Sequence, residues 1–250
     1  MLKKFLFLLS ITLLFTTTLF AQFEGEIKIE VQELTEGSVE STNFSLTTTK
    51  DRIFIQADEP VDVMSGMHTD AILIRNDLQD FVFRTKPDEA LKVSKDDLDG
   101  LVQLIKRFQG QRNQTEKEKF DWEHRVEETG DRMTILGYNT EEMRLKGDDP
   151  NQYVSIWLTD EIKVHWGLLL DFWYESGEDF ADSDIPIELV MNRNSFPLHI
   201  EVVDYGETVY TASATEINTD SFDRSVVELS DSVRLIGFSD MMMNMLRNRR

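Results

Sequence analysis

The chain opens its patterned part with a strict alternation. Phe23, Gly25, Ile27, Ile29 and Val31 alternate with Glu24, Glu26, Lys28 and Glu30. A period of two describes a β-strand with one wet face. Similar signals recur downstream. Residues 43–49 and 52–57 read as two more strands, joined through Lys50-Asp51. Residues 60–69 lack a period and contain Gly66, which predicts a loop. Residues 71–75 and 81–85 flank Asn76-Asp77, a hairpin signal. A short strand follows at 91–93. Beyond residue 120, strands are predicted at 122–128, 133–136, 138–145 and 153–158. The Asp148-Asp149-Pro150-Asn151 turn separates the last two. Three strands at 185–191, 196–203 and 207–217 follow, with a short one at 226–229.

Helical spacing appears three times. Ser94 with Asp97 three residues on resembles a capping box. Leu98, Leu101, Val102, Leu104, Ile105 and Phe108 then repeat at helical intervals up to Gly110. Thr159 or Asp160 is placed to cap a second helix over about 161–174, rich in Trp166, Leu168, Leu169, Leu170, Phe172 and Trp173. Ser239-Asp240 opens a short C-terminal helix carrying Met241, Met242, Met243 and Met245, which finish an irregular core well. The strands are consecutive, with no βαβ alternation. The expected fold is therefore α+β and mainly antiparallel, with two or three helices packed on one face of the sheet.

The first 21 residues stand apart. Lys3 and Lys4 precede an apolar run from Phe5 to Phe20, and Ala21 offers a small residue before Gln22. This is the design of a secretory signal, cleaved near Ala21/Gln22. An uncleaved anchor is the alternative, but the run is short and threonine-rich for a span of ~20 apolar residues. No later segment is long and apolar enough for a membrane span. Residues 22–250 then form a single domain in the periplasm or outside the cell.

Charge and composition narrow the classes of function. The formal net charge is −21, and the signal's only charges are two lysines, so the remainder is more acidic still. Such a surface repels nucleic acid and anionic membrane and favours solubility. Cysteine is absent, so neither disulfides nor a thiol nucleophile are available.

Candidate chemistry is sparse. His68, His124, His165 and His199 share no metal-binding spacing. Met64, Met67 and His68 are the one grouping with ligands suited to Cu(I), but two thioethers and one imidazole in a loop read more simply as an apolar lid. No nucleophile elbow or phosphate loop is present. Carboxylate pairs such as Asp148/Asp149 are plentiful among 47 acidic residues, and a glycosidase pair among them would be invisible in sequence. No metal, no cofactor and no catalytic residue is expected.

The residues 137–157, GYNTEEMRLKGDDPNQYVSIW, together with Met133–Leu136 and the following LTDEI, resemble the strand–turn–strand centre of an exported bacterial family filed as domain of unknown function 4412. The segment 195–217, SFPLHIEVVDYGETVYTASATEI, is similar to that family's closing hairpin, and FEGEIKIEV fits its start. Members often place a cysteine near the Gly-Tyr pair; here that stretch is Asn139-Thr140-Glu141. The family is similar in turn to LolA-type periplasmic lipoprotein carriers. The resemblance implies a curved half-barrel sheet wrapped over helices around an apolar cavity, and no catalytic residues. It implies an envelope binding protein, a carrier of an apolar ligand or a lipid-modified segment.

The expected lining is Ile27, Ile29, Trp157, Trp166, Leu169, Phe172 and Trp173. Only one parity of 153–158 shares a face with Ile27, either Tyr153 with Trp157 or Ile156 with Leu158. The helix of Trp166 is either a core helix under the sheet or the wall of the cavity. A structural module with a filled core is the rival reading, and a hydrolase using carboxylates is a third.

Overall fold

The computed structural model describes residues 22–35, 37–64, 67–100, 124–171, 195–241 and 243; side chains are described for these except at 62–64 and 67. Twelve strands form one open, curved sheet: β1 (Gly25–Thr35), β2 (Ser38–Thr48), β3 (Arg52–Met64), β4 (Met67–Arg75), β5 (Asp80–Lys86), β6 (Glu89–Ser94), β7 (Val126–Ile135), β8 (Tyr138–Lys146), β9 (Tyr153–Thr159), β10 (Phe196–Asp204), β11 (Glu207–Asn218) and β12 (Arg234–Gly237). Their order in space is β12-β6-β5-β4-β3-β2-β1-β11-β10-β9-β8-β7. Two antiparallel meanders, β1 to β6 and β7 to β11, thus meet at a single seam. There β1 pairs with β11, Ile27 opposite Ile217 and Val31 opposite Ala212.

Alternation along the strands builds the inner face. Ile27 on β1 lies opposite Leu46 on β2, which lies opposite Ile55 on β3. Ile53, Ile74, Phe81 and Val93 continue this surface to β6. On the other side of the seam, Leu198 and Ile200 continue it onto β10, and Ile156 and Met143 onto β9 and β8. Most of these side chains are buried. The parity left open in the sequence is settled: Ile156 and Leu158 face inward with Ile27, and Tyr153 and Trp157 face outward.

Helical residues are described at 95–100, 168–171, 238–241 and 243. Leu98, Leu168, Phe238 and Met241 from these stretches all pack against the inner core. The capping box at Ser94 forms, with the Asp97 amide donating to Ser94 Oγ at 3.2 Å and the Ser94 amide to Asp97 Oδ2 at 3.0 Å. The signal at 1–21, the helix beyond residue 100, the segment 111–119, Phe172 and Trp173, residues 175–191 and the C-terminal arginines lie outside the described residues.

Several expectations need correction. Residues 60–64 and 67–69 are strand, not loop: β3 and β4 run on as a ladder, with Val61 opposite Thr69 and Met64 opposite Met67. Register shifts break the alternation that would have revealed them. Residues 124–125 are a turn and β7 starts only at Val126; it then absorbs most of the strand predicted separately at 133–136, with a shift between Glu128 and Arg132. Residues 226–229 are no strand; a 3-10 turn at Arg224–Val227 lays Val226, Val227 and Leu229 over Leu73, Val82 and Ala90 on the outer face. Arg52 ties this strap down through the Val227 carbonyl at 3.1 Å and through Glu228. Beyond it, β12 pairs parallel with β6, a strand the sequence pattern did not indicate because only four residues take part.

The β10–β11 hairpin carries a local strain. Asp204 pairs with Glu207, leaving a two-residue turn in which Tyr205 has φ 49° and Gly206 φ 84°. Positive φ at both places is the geometry that favours Asn-Gly. Tyr205 is 71 % exposed, so its ring gains little from packing. Tyr205→Asn should stabilise the protein by about 1 kcal/mol by relieving this left-handed conformation. In a thermal melt that is a rise of about 2–4 °C; an unchanged or lower midpoint would show that the tyrosine ring contributes more than the strain costs.

Candidate functional site

The segment after β9 decides the shape of the inner face. Its sequence suggested a helix from 161, yet residues 162–166 form no regular secondary structure, and a tight turn brings the Trp166 amide to the Val164 carbonyl at 3.1 Å. Ile162 is buried, with Val164 and Trp166 following it at alternate positions against the core. The Phe23 amide donates to the Lys163 carbonyl at 2.9 Å, docking the segment beside the start of β1. Helical residues begin only at 168, after Gly167 at φ 44°. The alternation Ile162, Val164, Trp166 was present in the sequence but was obscured by the leucines that follow it.

This path places the Trp166 indole over the inner face. Its ring stacks on Phe196, with centroids 6.1 Å apart and planes within 9°. Beneath it lies an apolar groove of about 260 Å³. Ile29 and Val31 of β1, Phe44 and Leu46 of β2 and Ile55 of β3 form one side; Ile200 of β10 with Ala212 and Ala214 of β11 form the other. Trp166, Phe196 and Pro197 complete the rim. The groove therefore straddles the seam between the two meanders. It is the small side chains of Ala212 and Ala214, between Val31, Ile29 and Ile200, that leave the depression.

Of the residues expected to line a cavity, Ile29 and Trp166 meet at this groove. Ile27 is fully buried in the core beside it, and Leu169 packs against the same core without lining the groove. Trp157 lies on the opposite face of the sheet, level with His199 on β10 and Glu142 on β8, and cannot share the site. Phe172 and Trp173 lie outside the described residues. Sequence reading missed Phe44, Ala212 and Ala214; two alanines in a strand carry no apolar signal, and their smallness matters only once their neighbours are known.

A second, polar cleft of about 750 Å³ lies where β7 and β8 shift register, lined among others by Glu128, Arg132, Glu141, Glu142, Asp160 and Ser195. Glu142 is buried there. Its carboxylate accepts from Ser155 Oγ at 2.6 Å and from Arg144 Nη2 at 2.8 Å. Burial alone would raise its pKa, but these hydrogen bonds together outweigh burial and hold it below the ordinary glutamate value. Arg144 in turn lies over the Tyr153 ring at 4.6 Å. Glu142 is thus an anchor between β8 and β9, held by Ser155 and Arg144.

The histidines stay apart. His68 is exposed on β4, the His165 carbonyl is bonded by Asn76, and His199 Nδ1 is 2.8 Å from Ser213 Oγ on the outer face. Among the described residues no group of three His, Asp or Glu is arranged to hold a metal ion. No helix there is long and apolar enough to cross a membrane.

No family model and no curated protein matches the chain. Among solved structures, PNGF-II is similar over 90% of this chain at 13% identity and a TM-score of 0.41; the chain spans only 34% of that protein's length. An uncharacterized conserved protein from Thermus thermophilus covers 85% of this chain and 90% of its own, with 7% identity and a TM-score of 0.39. A LolA superfamily protein from Nitrosomonas europaea covers 83% and 91%, with 12% identity and a TM-score of 0.29. At these scores the likeness is loose, and no function passes from any of them to this chain.

Proposed function

We propose that this protein is a binding protein of the cell envelope that takes up an apolar molecule, or the apolar segment of a larger one, in the groove beneath Trp166. In this reading residues 1–21 direct export and are removed, and residues 22–250 act as one domain, a distant member of the half-barrel carriers. The observation that carries it is the groove itself. A sheet that had only to fill its own core would place large side chains at positions 212 and 214, where this one has alanines facing Trp166. Binding comes from removal of apolar surface from water, worth roughly 25 cal/mol per Å², with no chemistry on the ligand. At about 260 Å³ the groove lies just below the usual range of ligand sites, roughly 300–1,000 Å³, so it suits one slender segment of a ligand.

The rival is an envelope interaction module with a packed interior. Ala214→Phe separates the two. If the groove is a binding site, the wild type takes up a polarity-sensitive apolar probe and the variant loses at least about tenfold in affinity, about 1.4 kcal/mol. If the space is needed for packing alone, the wild type takes up no probe and the variant is overpacked, costing ~1–3 kcal/mol of stability.

A further inference from the structure

The roof of the groove is held by a residue far from it in sequence. Asn76, in the turn between β4 and β5, is buried. Its side-chain amide grips the backbone on both sides of Trp166-Gly167: Nδ2 donates to the His165 carbonyl at 3.1 Å, and Oδ1 accepts from the Leu168 amide at 2.8 Å. Gly167 is what lets it approach so closely, since a Cβ there would stand 2.4 Å from Asn76 Oδ1. The amide satisfies the first turn of the helical stretch as a cap would, but from another element. Between these two held backbone positions, the indole lies stacked on Phe196. Facing it across the groove are Ala212 and Ala214.

Resting on the binding reading above, we infer that the width of the groove is set from these two sides. Asn76 acts as a positioning residue through Trp166, and Ala212 with Ala214 fix the floor. The groove then admits slender apolar chains and refuses bulky ring systems. The asparagine belongs to a hairpin turn, where Asn-Asp needs no further explanation from sequence, and turn geometry alone does not require its side chain to reach 89 residues along the chain.

The test uses the chain from residue 22 onward and two probes, a linear conjugated polyenoic fatty acid and the bulky dye anilinonaphthalene sulfonate. The wild type should bind the linear probe at least about tenfold more tightly. Asn76→Ala should bring the two affinities to within about threefold, and should lose the part of the near-UV circular dichroism that Trp166→Phe removes. Ala212→Val leaves Asn76 in place and narrows the floor; it should weaken the linear probe about tenfold with the near-UV signal intact. It decides the matter if Asn76→Ala does not fold, because an unchanged affinity there overturns the inference. Equal binding of both probes by the wild type, or an unchanged ratio in folded Asn76→Ala, overturns it while the binding reading stands. Uptake of neither probe by the wild type removes the binding reading and this inference with it.

Discussion

Asp80→Ala should cost the fold about 3–5 kcal/mol, the range found when one member of a buried ion pair is removed. Asp80 is 1 % exposed, and its carboxylate takes both arms of the Arg75 guanidinium, at 2.7 and 2.8 Å. Lys92 stands 3.4 Å away. Truncation leaves the Arg75 cation in a buried place without its hydrogen-bonded counter-charge and with five donors to satisfy. Exposed pairs elsewhere in the sheet, such as Lys28–Glu216, make the contrast, because pairs in water contribute only ~0–1 kcal/mol. The pair is nonetheless replaceable: Arg75→Met with Asp80→Leu should fall within about 1 kcal/mol of the wild type or exceed it. Urea unfolding of the single and double variants checks both statements. A single variant that loses under about 1 kcal/mol would mean that water or a neighbour reaches Arg75.

Ile27→Ala should cost about 2–5 kcal/mol, and Ile27→Val only about 0.5–1.5. Ile27 is fully buried at the seam, between Leu46 on β2 and Ile217 on β11. Its side chain packs in the one place where the two meanders share a core. A cavity there is lined by strands held on both sides, which leaves little room to collapse and places the cost toward the upper end. The measurement is again denaturant unfolding. If Ile27→Ala and Ile27→Val prove equally mild, the seam relaxes and the two halves are coupled by their backbone ladder alone.

What could be read in the sequence followed from local periodicity. Wherever one face of a strand is wet, the alternation is visible, as from Ile27 to Val31 and from Phe196 to Val202. Turn chemistry was equally legible: Asp148 to Asn151 closes β8 and β9, with the Asn151 amide on Asp149 Oδ1 at 2.8 Å. The failures share a cause. Residues 60–64 form strand where the register to β4 shifts twice, which breaks the period. The Trp166 segment alternates over only five residues before four leucine-rich ones at helical spacing, so the stronger pattern hid the weaker. Strand neighbours at the seam are a long-range matter that periodicity cannot express. The site follows suit: Trp166 was legible by its size, whereas Ala212, Ala214 and Asn76 acquire meaning only from what stands opposite them.

The seam has a consequence in time as well as in space. Strands β1 to β6 are neighbours in the chain and can zip as they emerge, each onto the last. The outer edge of β1 has to wait for β11, since Glu26 pairs with Asn218 and Glu33 with Tyr210. Until nearly the whole chain has been made, the N-terminal meander presents eleven residues of open strand with a β-rich apolar side. Such an edge is a template for any other strand it meets. Among the described pairings its closure spans the longest loop, so it is slow, and the half-made sheet is the species most exposed to aggregation. The charged outward positions of β1, Glu26, Lys28 and Glu30, keep one side of that waiting strand unattractive to others until its partner arrives.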